Sequence, residues 1–341
     1  VAPELIEHAL RAAPPRSPWV QTMRSWHSAP MRKWVRRAGI GLLVLLGLLS
    51  VLVAWKWKGD LPLETLKARW AGPPSRFVDV DGMSVHYRDE GSGPTIVLLH
   101  GTGASLHTWD AWTEALSPSH RVVRLDLPAF GLTGPRPDGD YRLDTYVAFL
   151  DHFAATLGLD RFALAGNSFG GALAWRFAVA HPSEVTALVL VDAGGYPRKD
   201  KRLLVFRLGG FPLVGRLLAH MDPRIFVERT VRQIYGDPTL VTPDLVERSY
   251  ELTLAPGNRE AFGAQTSVPF EDRTALLRSL HVPTLVMWGD KDALIPVSDA
   301  QRFAADIPSA RVRIYEGLGH VPMQEDGART AADVRAFLDG P

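Results

Sequence analysis

Two kinds of apolar pattern divide the chain. From Ala38 to Trp55 the run AGIGLLVLLGLLSVLVAW has Ser50 as its only polar side chain. As a helix rising about 1.5 Å per residue it spans roughly 27 Å, close to the hydrocarbon thickness of a bilayer. Beyond Phe77 the apolar residues come in strand-length runs: TIVLLHG at 95–101, RVVRLDLP at 121–128, FALAGNS at 162–168, TALVLVDAG at 186–194, TLVMWGD at 284–290 and RVRIYEG at 311–317. Continuous apolar runs of this length suit strands covered on both faces. Helical spacing in YRLDTYVAFLDHFAATLGL, and in FGGALAWRFAVAHP up to Pro182, places helices between them. A hairpin precedes the first run: FVDV, a turn at Asp81-Gly82, then MSVHYRDE, closed by Gly91 and Gly93. This alternation predicts an α/β fold with a mostly parallel eight-stranded sheet and flanking helices. The long stretch between Gly194 and Thr284 has few strand signals. A structureless loop of that size does not suit a compact domain, so an inserted helical cap is expected at about 196–279.

The flanks of the apolar run point to a membrane. Trp34 precedes it and Trp55 and Trp57 follow, as amphipathic rings do at the two headgroup levels. Arg32, Lys33, Arg36 and Arg37 crowd the N-terminal side, whereas Lys56 and Lys58 are offset by Asp60 and Glu64. Cleavage after Ala54 would put Leu52 where a signal peptidase wants a small residue, which favours a retained signal anchor. The positive-inside bias then sets the N-terminus in the cytoplasm and the main domain outside it, across a bacterial inner membrane. Residues 1–37 read as a flexible, basic tail containing Pro3, Pro14, Pro15, Pro18 and Pro30; 38–55 as a transmembrane anchor; 56–76 as a juxtamembrane linker; and 77–341 as the globular domain. Met23 and Met31 are alternative starts to Val1.

Composition narrows the chemistry. With 46% hydrophobic and 22% charged residues the chain is globular in character, and 38 basic against 37 acidic residues leave a net charge of +1. No field of one sign attracts nucleic acid. The absence of cysteine removes disulfides, thiolate metal sites and thiol nucleophiles. No His/Asp/Glu group has metal-ligand spacing, so neither a metal nor a cofactor is expected.

At Gly166-Asn167-Ser168-Phe169-Gly170 an apolar strand runs straight into a helix through a glycine-flanked serine. A nucleophile on such a tight turn needs neighbours without side chains, and the following helix aims its N-terminal amides at developing negative charge. A serine hydroxyl also needs a base held by a third group. Asp292 follows the strand TLVMWGD and His320 follows RVRIYEG, each at a carboxyl end, where open α/β sheets place their ligands. The reading is Ser168 as nucleophile, His320 as general base and Asp292 as the orienting acid. Asp192, ending VLVD, is the rival acid. Asp290 is read as a turn former, and Asp126 as ordering the loop after its strand. His86, His181 and His281 are read as structural or solvated, His100 as bracing the turn His100-Gly101-Thr102-Gly103, and His107 as either lining the pocket or lying on an exposed loop.

The pieces LLHGTG, DLPAFGLTG, GNSFGG, WGDKDALIP and GLGHVPMQED resemble the α/β-hydrolase superfamily, in its serine-nucleophile, esterase- and lipase-like branch. The resemblance implies oxyanion donors at the backbone N–H groups of Thr102 and Phe169, and hydrolysis of a carboxylic ester with a hydrophobic acyl group. Departures are Ala129, where the family usually has glycine, and Asp326-Gly327 after Glu325. GNSFGG is similar to the elbow of meta-cleavage-product hydrolases, which keeps carbon–carbon hydrolysis as an alternative, although Val321 stands where those usually carry an aromatic residue. A catalytically silent membrane scaffold of the same fold is the alternative from another class. The expected partners are a small-molecule ester and the bilayer through residues 38–55. Residues 199–221 mix basic and apolar side chains, and read either as cap helices over the site or as a face resting on the membrane.

Overall fold

The computed structural model describes residues 29–197 and 220–340, and two compact units divide the chain at Trp57. The first unit carries one continuous helix, α1 (Ala29–Trp55, 27 residues), which contains the expected span. Ile40, Leu42, Leu43, Val44, Leu45, Leu48 and Val51 are all exposed on it. Among the described residues no helix is long and apolar enough to cross a membrane. The side chains at 46, 49 and 52–55, inside the expected span, lie outside that description, as do residues 1–28.

The second unit is built on eight strands: β1 (Arg76–Val80), β2 (Met83–Glu90), β3 (Thr95–Leu99), β4 (Arg121–Leu125), β5 (Phe162–Asn167), β6 (Val185–Val191), β7 (Thr284–Gly289) and β8 (Ala310–Tyr315). Their order is β1-β2-β4-β3-β5-β6-β7-β8, antiparallel at β1/β2 and β2/β4 and parallel elsewhere. The β1–β2 turn has positive φ at both Asp81 (54°) and Gly82 (76°), the conformation that matches the twist of a tight hairpin. β5 and β7 are buried along their whole length, as their unbroken apolar runs require.

Helices cover both faces. On one, α4 (Leu143–Thr156), α5 (Phe169–Ala180) and α9 (Ser298–Asp306) bury Phe149, Phe177 and Phe303 against Leu164 and Val286. On the other, α3 (Asp110–Leu116), preceded by a 3-10 turn at Leu106–Trp109, and α11 (Gly327–Leu338) pack Trp112, Leu116 and Val334 on Ile96 and Val189. Between β6 and β7 stand α6 (Arg224–Ile234), α7 (Pro243–Thr253) and α8 (Asn258–Ser267), within the stretch expected as a cap. Most of the segment 199–221 singled out by sequence lies outside the described residues.

Residues 58–75, expected as part of a linker, lie against the body. Helix α2 (Leu63–Trp70) buries Leu66 with Leu132, Leu252 and Ala255. Trp70 Nε1 donates to Glu251 at 2.7 Å, Arg259 donates to Asp60 at 2.6 Å, and the Leu61 N–H donates to the Leu254 carbonyl at 2.8 Å. This short, charge-rich helix has no periodicity of its own, and its one buried leucine is matched by residues far along the chain.

Candidate active site

Ser168 stands between β5 and α5 with φ +54° and ψ −114°, a backbone conformation that side chains rarely adopt. Its neighbours explain how the turn is accommodated. A Cβ at Gly166 would meet the Gly170 carbonyl oxygen at 2.2 Å, one at Gly170 the Leu99 carbonyl oxygen at 2.2 Å, and one at Gly171 the Ala193 Cβ at 2.5 Å. The elbow is fastened to the strand end beside it: the Ser168 N–H donates to the Val191 carbonyl (3.0 Å), and the Gly194 N–H to the Ser168 carbonyl (2.9 Å).

The turn after β3 closes on this serine, since a Cβ at Gly101 would lie 3.1 Å from Ser168 Cβ. His100 braces it. Its Nδ1 donates to the Gly101 carbonyl (2.8 Å) and its Nε2 accepts from the Leu127 N–H (2.9 Å), which fixes a neutral tautomer. Full burial lowers its pKa, outweighing the attraction of Asp126. Thr102 is exposed, and among the described residues no protein acceptor takes the N–H of Thr102 or of Phe169.

His320 and Asp292 meet directly: His320 Nδ1 lies 2.7 Å from Asp292 Oδ2. The other oxygen, Asp292 Oδ1, accepts from the N–H groups of Leu294 (2.7 Å) and Ile295 (2.9 Å), so the carboxylate is held at both ends. Both side chains are nearly or wholly buried. The His320 loop is pinned from two sides. Its N–H donates to the Ile234 carbonyl (2.7 Å) at the end of α6, and the Glu325 carboxylate accepts from Gly319 (2.7 Å) and Gly236 (2.8 Å). Asn167 ties this loop to the elbow, its Nδ2 donating to the His320 carbonyl (3.0 Å) and to the Val191 carbonyl (3.1 Å). No hydrogen bond joins Ser168 Oγ to His320 among the described residues, and such contacts are often open before substrate arrives.

Sequence reasoning overlooked the bracing roles of Asn167 and Glu325, although the elbow's variable position and an acid five residues after the histidine were there to be read. Asp290 lies in the turn after β7, but its carboxylate accepts from the Gly317 N–H at 2.7 Å and so ties that turn to the loop after β8. Asp126 accepts from Leu106 (2.7 Å) and Leu132 (2.8 Å) and pairs with His86 (2.7 Å), ordering the loop that follows β4. His107 lies on no exposed loop: it is 6% exposed, bonded to Ser105 Oγ at 3.1 Å and the Trp70 carbonyl at 3.1 Å. Ala129 has φ +80°, so the departure from glycine stands where a left-handed backbone is required. Aromatic rings border the elbow, with Phe169 edge-on to Tyr146 at 4.9 Å between centroids, while Phe262 of α8 stands over Gly103, 3.6 Å from where a Cβ would be.

Comparison with known proteins agrees with this architecture. The model of the alpha/beta hydrolase fold family matches residues 94–326, and the chain belongs to that family. Lipase 3 of Moraxella sp. is 28% identical over 270 residues, covering 76% of this chain and 82% of that protein. The solved meta-cleavage product hydrolase from Pseudomonas fluorescens IP01 superposes with a TM-score of 0.68 at 25% identity, over 77% of this chain and 97% of its own. A crystal structure of a membrane phospholipase A, described as a bacterial virulence factor, is 28% identical with a TM-score of 0.65, over 91% of this chain and 99% of that one. The chain is thus a hydrolase of the α/β fold, similar to lipases and to meta-cleavage product hydrolases alike.

Proposed function

We propose that the protein is a membrane-anchored serine hydrolase acting on carboxylic esters with hydrophobic acyl groups. The observation that carries the chemistry is the 2.7 Å pair between His320 Nδ1 and Asp292 Oδ2, with the far oxygen of Asp292 held by two backbone N–H groups. This pairing orients the imidazole with Nε2 free to accept a proton and prepares a negative charge for the imidazolium that follows. Ser168 Oγ attacks the acyl carbonyl as His320 takes its proton. The N–H groups of Thr102 and Phe169 receive the oxyanion, and His320 returns the proton to the leaving alkoxide. Water, activated by the same histidine, then releases the acid.

A lipid-like ester is favoured by the aromatic rings of Phe169 beside the elbow and Phe262 over the Gly103 turn, and by the likeness to a lipase and to a membrane phospholipase A. The latter matches a larger share of this chain than residues 58–341 make up, so the likeness reaches into the N-terminal unit. The apolar run 38–55 within helix α1 is the proposed single-pass anchor, with Lys33, Arg36 and Arg37 on the cytoplasmic side and the catalytic domain outside the cytoplasm, at a bacterial inner membrane. Carbon–carbon hydrolysis is the second reading, favoured by the likeness to the meta-cleavage product hydrolase and opposed by Val321 after His320.

A series of p-nitrophenyl esters of increasing chain length, run beside a meta-cleavage product, separates the two. Turnover rising with acyl length supports the ester reading; turnover of the dienoate alone overturns it. Fluorophosphonate labelling lost in Ser168→Ala supports a serine hydrolase, whereas no labelling of the native chain leaves a scaffold. Membrane placement is checked by proteolysis of spheroplasts, in which the catalytic domain is cut; protection of that domain until the membrane is breached reverses the topology.

A further inference from the structure

A second acid sits beside the proposed triad. Asp192 follows β6 with φ +44°, a left-handed turn that leads on to Gly194 and its bond to the Ser168 carbonyl. The Asp192 side chain is fully buried, and one oxygen of Asp192, one of Asp292 and a ring nitrogen of His320 all lie within 4.8 Å of one another. The two carboxyl groups differ in their donors. Asp292 accepts from His320 and from two backbone N–H groups. Asp192 has the Gly289 N–H on Oδ1 (3.0 Å), and its Oδ2 has no partner among the described residues.

Two buried carboxylates this close do not both ionise, and the proton stays on the one with fewer donors. The unpartnered Oδ2 is then a hydroxyl, and the Asp292 carboxylate, with an oxygen within 4.8 Å of one of Asp192's, is the acceptor beside it among the described residues. We infer that Asp192 stands in this site as a neutral carboxylic acid that donates its Oδ2–H to Asp292, making it a positioning residue for the Asp292–His320 pair. Burial, the charge of Asp292 and, further off, that of Glu325 on α10 (Pro322–Glu325) all press Asp192 toward its neutral form, opposed by the Gly289 N–H. The groups facing it are Asp292, His320 and Glu325. The consequence is that the imidazolium formed during acyl transfer meets one negative charge in its immediate surroundings rather than two.

This rests on the triad reading above, and the test separates the two. The rate of fluorophosphonate inactivation is measured against pH for the native chain, Asp192→Asn and Asp192→Leu, with thermal melts to confirm folding. The Asn amide can still donate to Asp292, so the acidic limb stays within about 0.3 pH units of native, and inactivation is at least about tenfold faster than for Leu. Leu removes the donor, concentrates charge on Asp292, and moves the limb up by about one pH unit. If Asp192 is ionised instead, Asn removes a negative charge and the limb moves down, which overturns the inference. Loss of the triad reading shows as no labelling of the native chain at any pH. Infrared difference spectra give a readout independent of rate and of the Leu variant's folding: the native protein at neutral pH shows the carbonyl stretch of a protonated carboxylic acid, missing in Asp192→Asn. Its absence from the native protein sinks the proposal.

Discussion

The Asn167 amide donates to the His320 backbone carbonyl at 3.0 Å, so the residue before the elbow serine holds the loop that carries the proposed base. The same Nδ2 reaches Val191, at the end of the neighbouring strand β6. Two strand ends and the loop after β8 are joined through one buried side chain. Replacing Asn167 with Leu leaves two buried carbonyls without that donor and is expected to cost about 1–3 kcal/mol of stability. A drop in kcat of about tenfold or more should accompany it, because the base loop loses its register with the serine. Urea unfolding and ester kinetics on the same preparation check both effects.

Asp292→Asn keeps the shape of the carboxyl but presents an amide to His320 Nδ1, which favours the wrong imidazole tautomer. A fall in kcat of about 10⁴ is expected, with the thermal midpoint little changed. A fall of that size in Asp192→Asn instead would move the orienting role to Asp192.

Gly170→Ala tests the elbow's packing. The added Cβ would stand 2.2 Å from the Leu99 carbonyl oxygen and 2.6 Å from that of His100, both backbone atoms that a rotamer change cannot move. A loss of about 3 kcal/mol or more is expected, read as a lower denaturation midpoint or as failure to accumulate folded protein.

Burial of His107 gives the body a pH dependence. Desolvation, helped by Arg248 and Arg88 and resisted by Asp126 and Asp110, lowers its pKa from 6.5 to about 4. Between those values the unfolded chain holds a proton that the folded chain does not, so the stabilisation is complete above pH 6.5 and is lost as pH falls toward 4. The loss is on the order of 3 kcal/mol. Denaturant midpoints across that range should show the decline, and His107→Gln should flatten it.

Much of this was legible locally. An unbroken apolar run makes a strand buried on both faces, and Gly166, Gly170 and Gly171 announce a turn with no room for side chains. The pairing of His320 with Asp292 follows from their places after β8 and β7. What could not be read was decided by distant partners. Leu66 is buried against Leu132, Leu252 and Ala255, and the His107 ring bonds the Trp70 carbonyl, partners far off in the chain. Asp192 and Asp292 bring carboxylate oxygens within 4.8 Å of each other, a meeting that no spacing in the chain displays.

Removing residues before the body should distinguish the docked segment from the rest of the N-terminus. A chain beginning at Lys58 is expected to unfold like the full-length protein. One beginning at Arg76 loses the burial of Leu66 and the donors to Glu251, a difference of at least about 3 kcal/mol by chemical denaturation. Equal midpoints for the two chains would show that the segment is dispensable.

The contacts of Lys58, Asp60 and Leu61 also set a load path. A pull on the chain at Lys58 is received by the His220 carbonyl, by Arg259 at the start of α8 and by Leu254 just past α7 before any of it reaches strand β1. Asn258, beside Arg259, bonds the Gly131 carbonyl, and α8 also carries Phe262 over the turn at Gly103. A pull at this point is therefore delivered to the helices that stand over the Gly103 turn before it reaches the sheet beneath them, so under the proposed membrane anchoring any tension on the chain and the placement of Phe262 would share one set of hydrogen bonds.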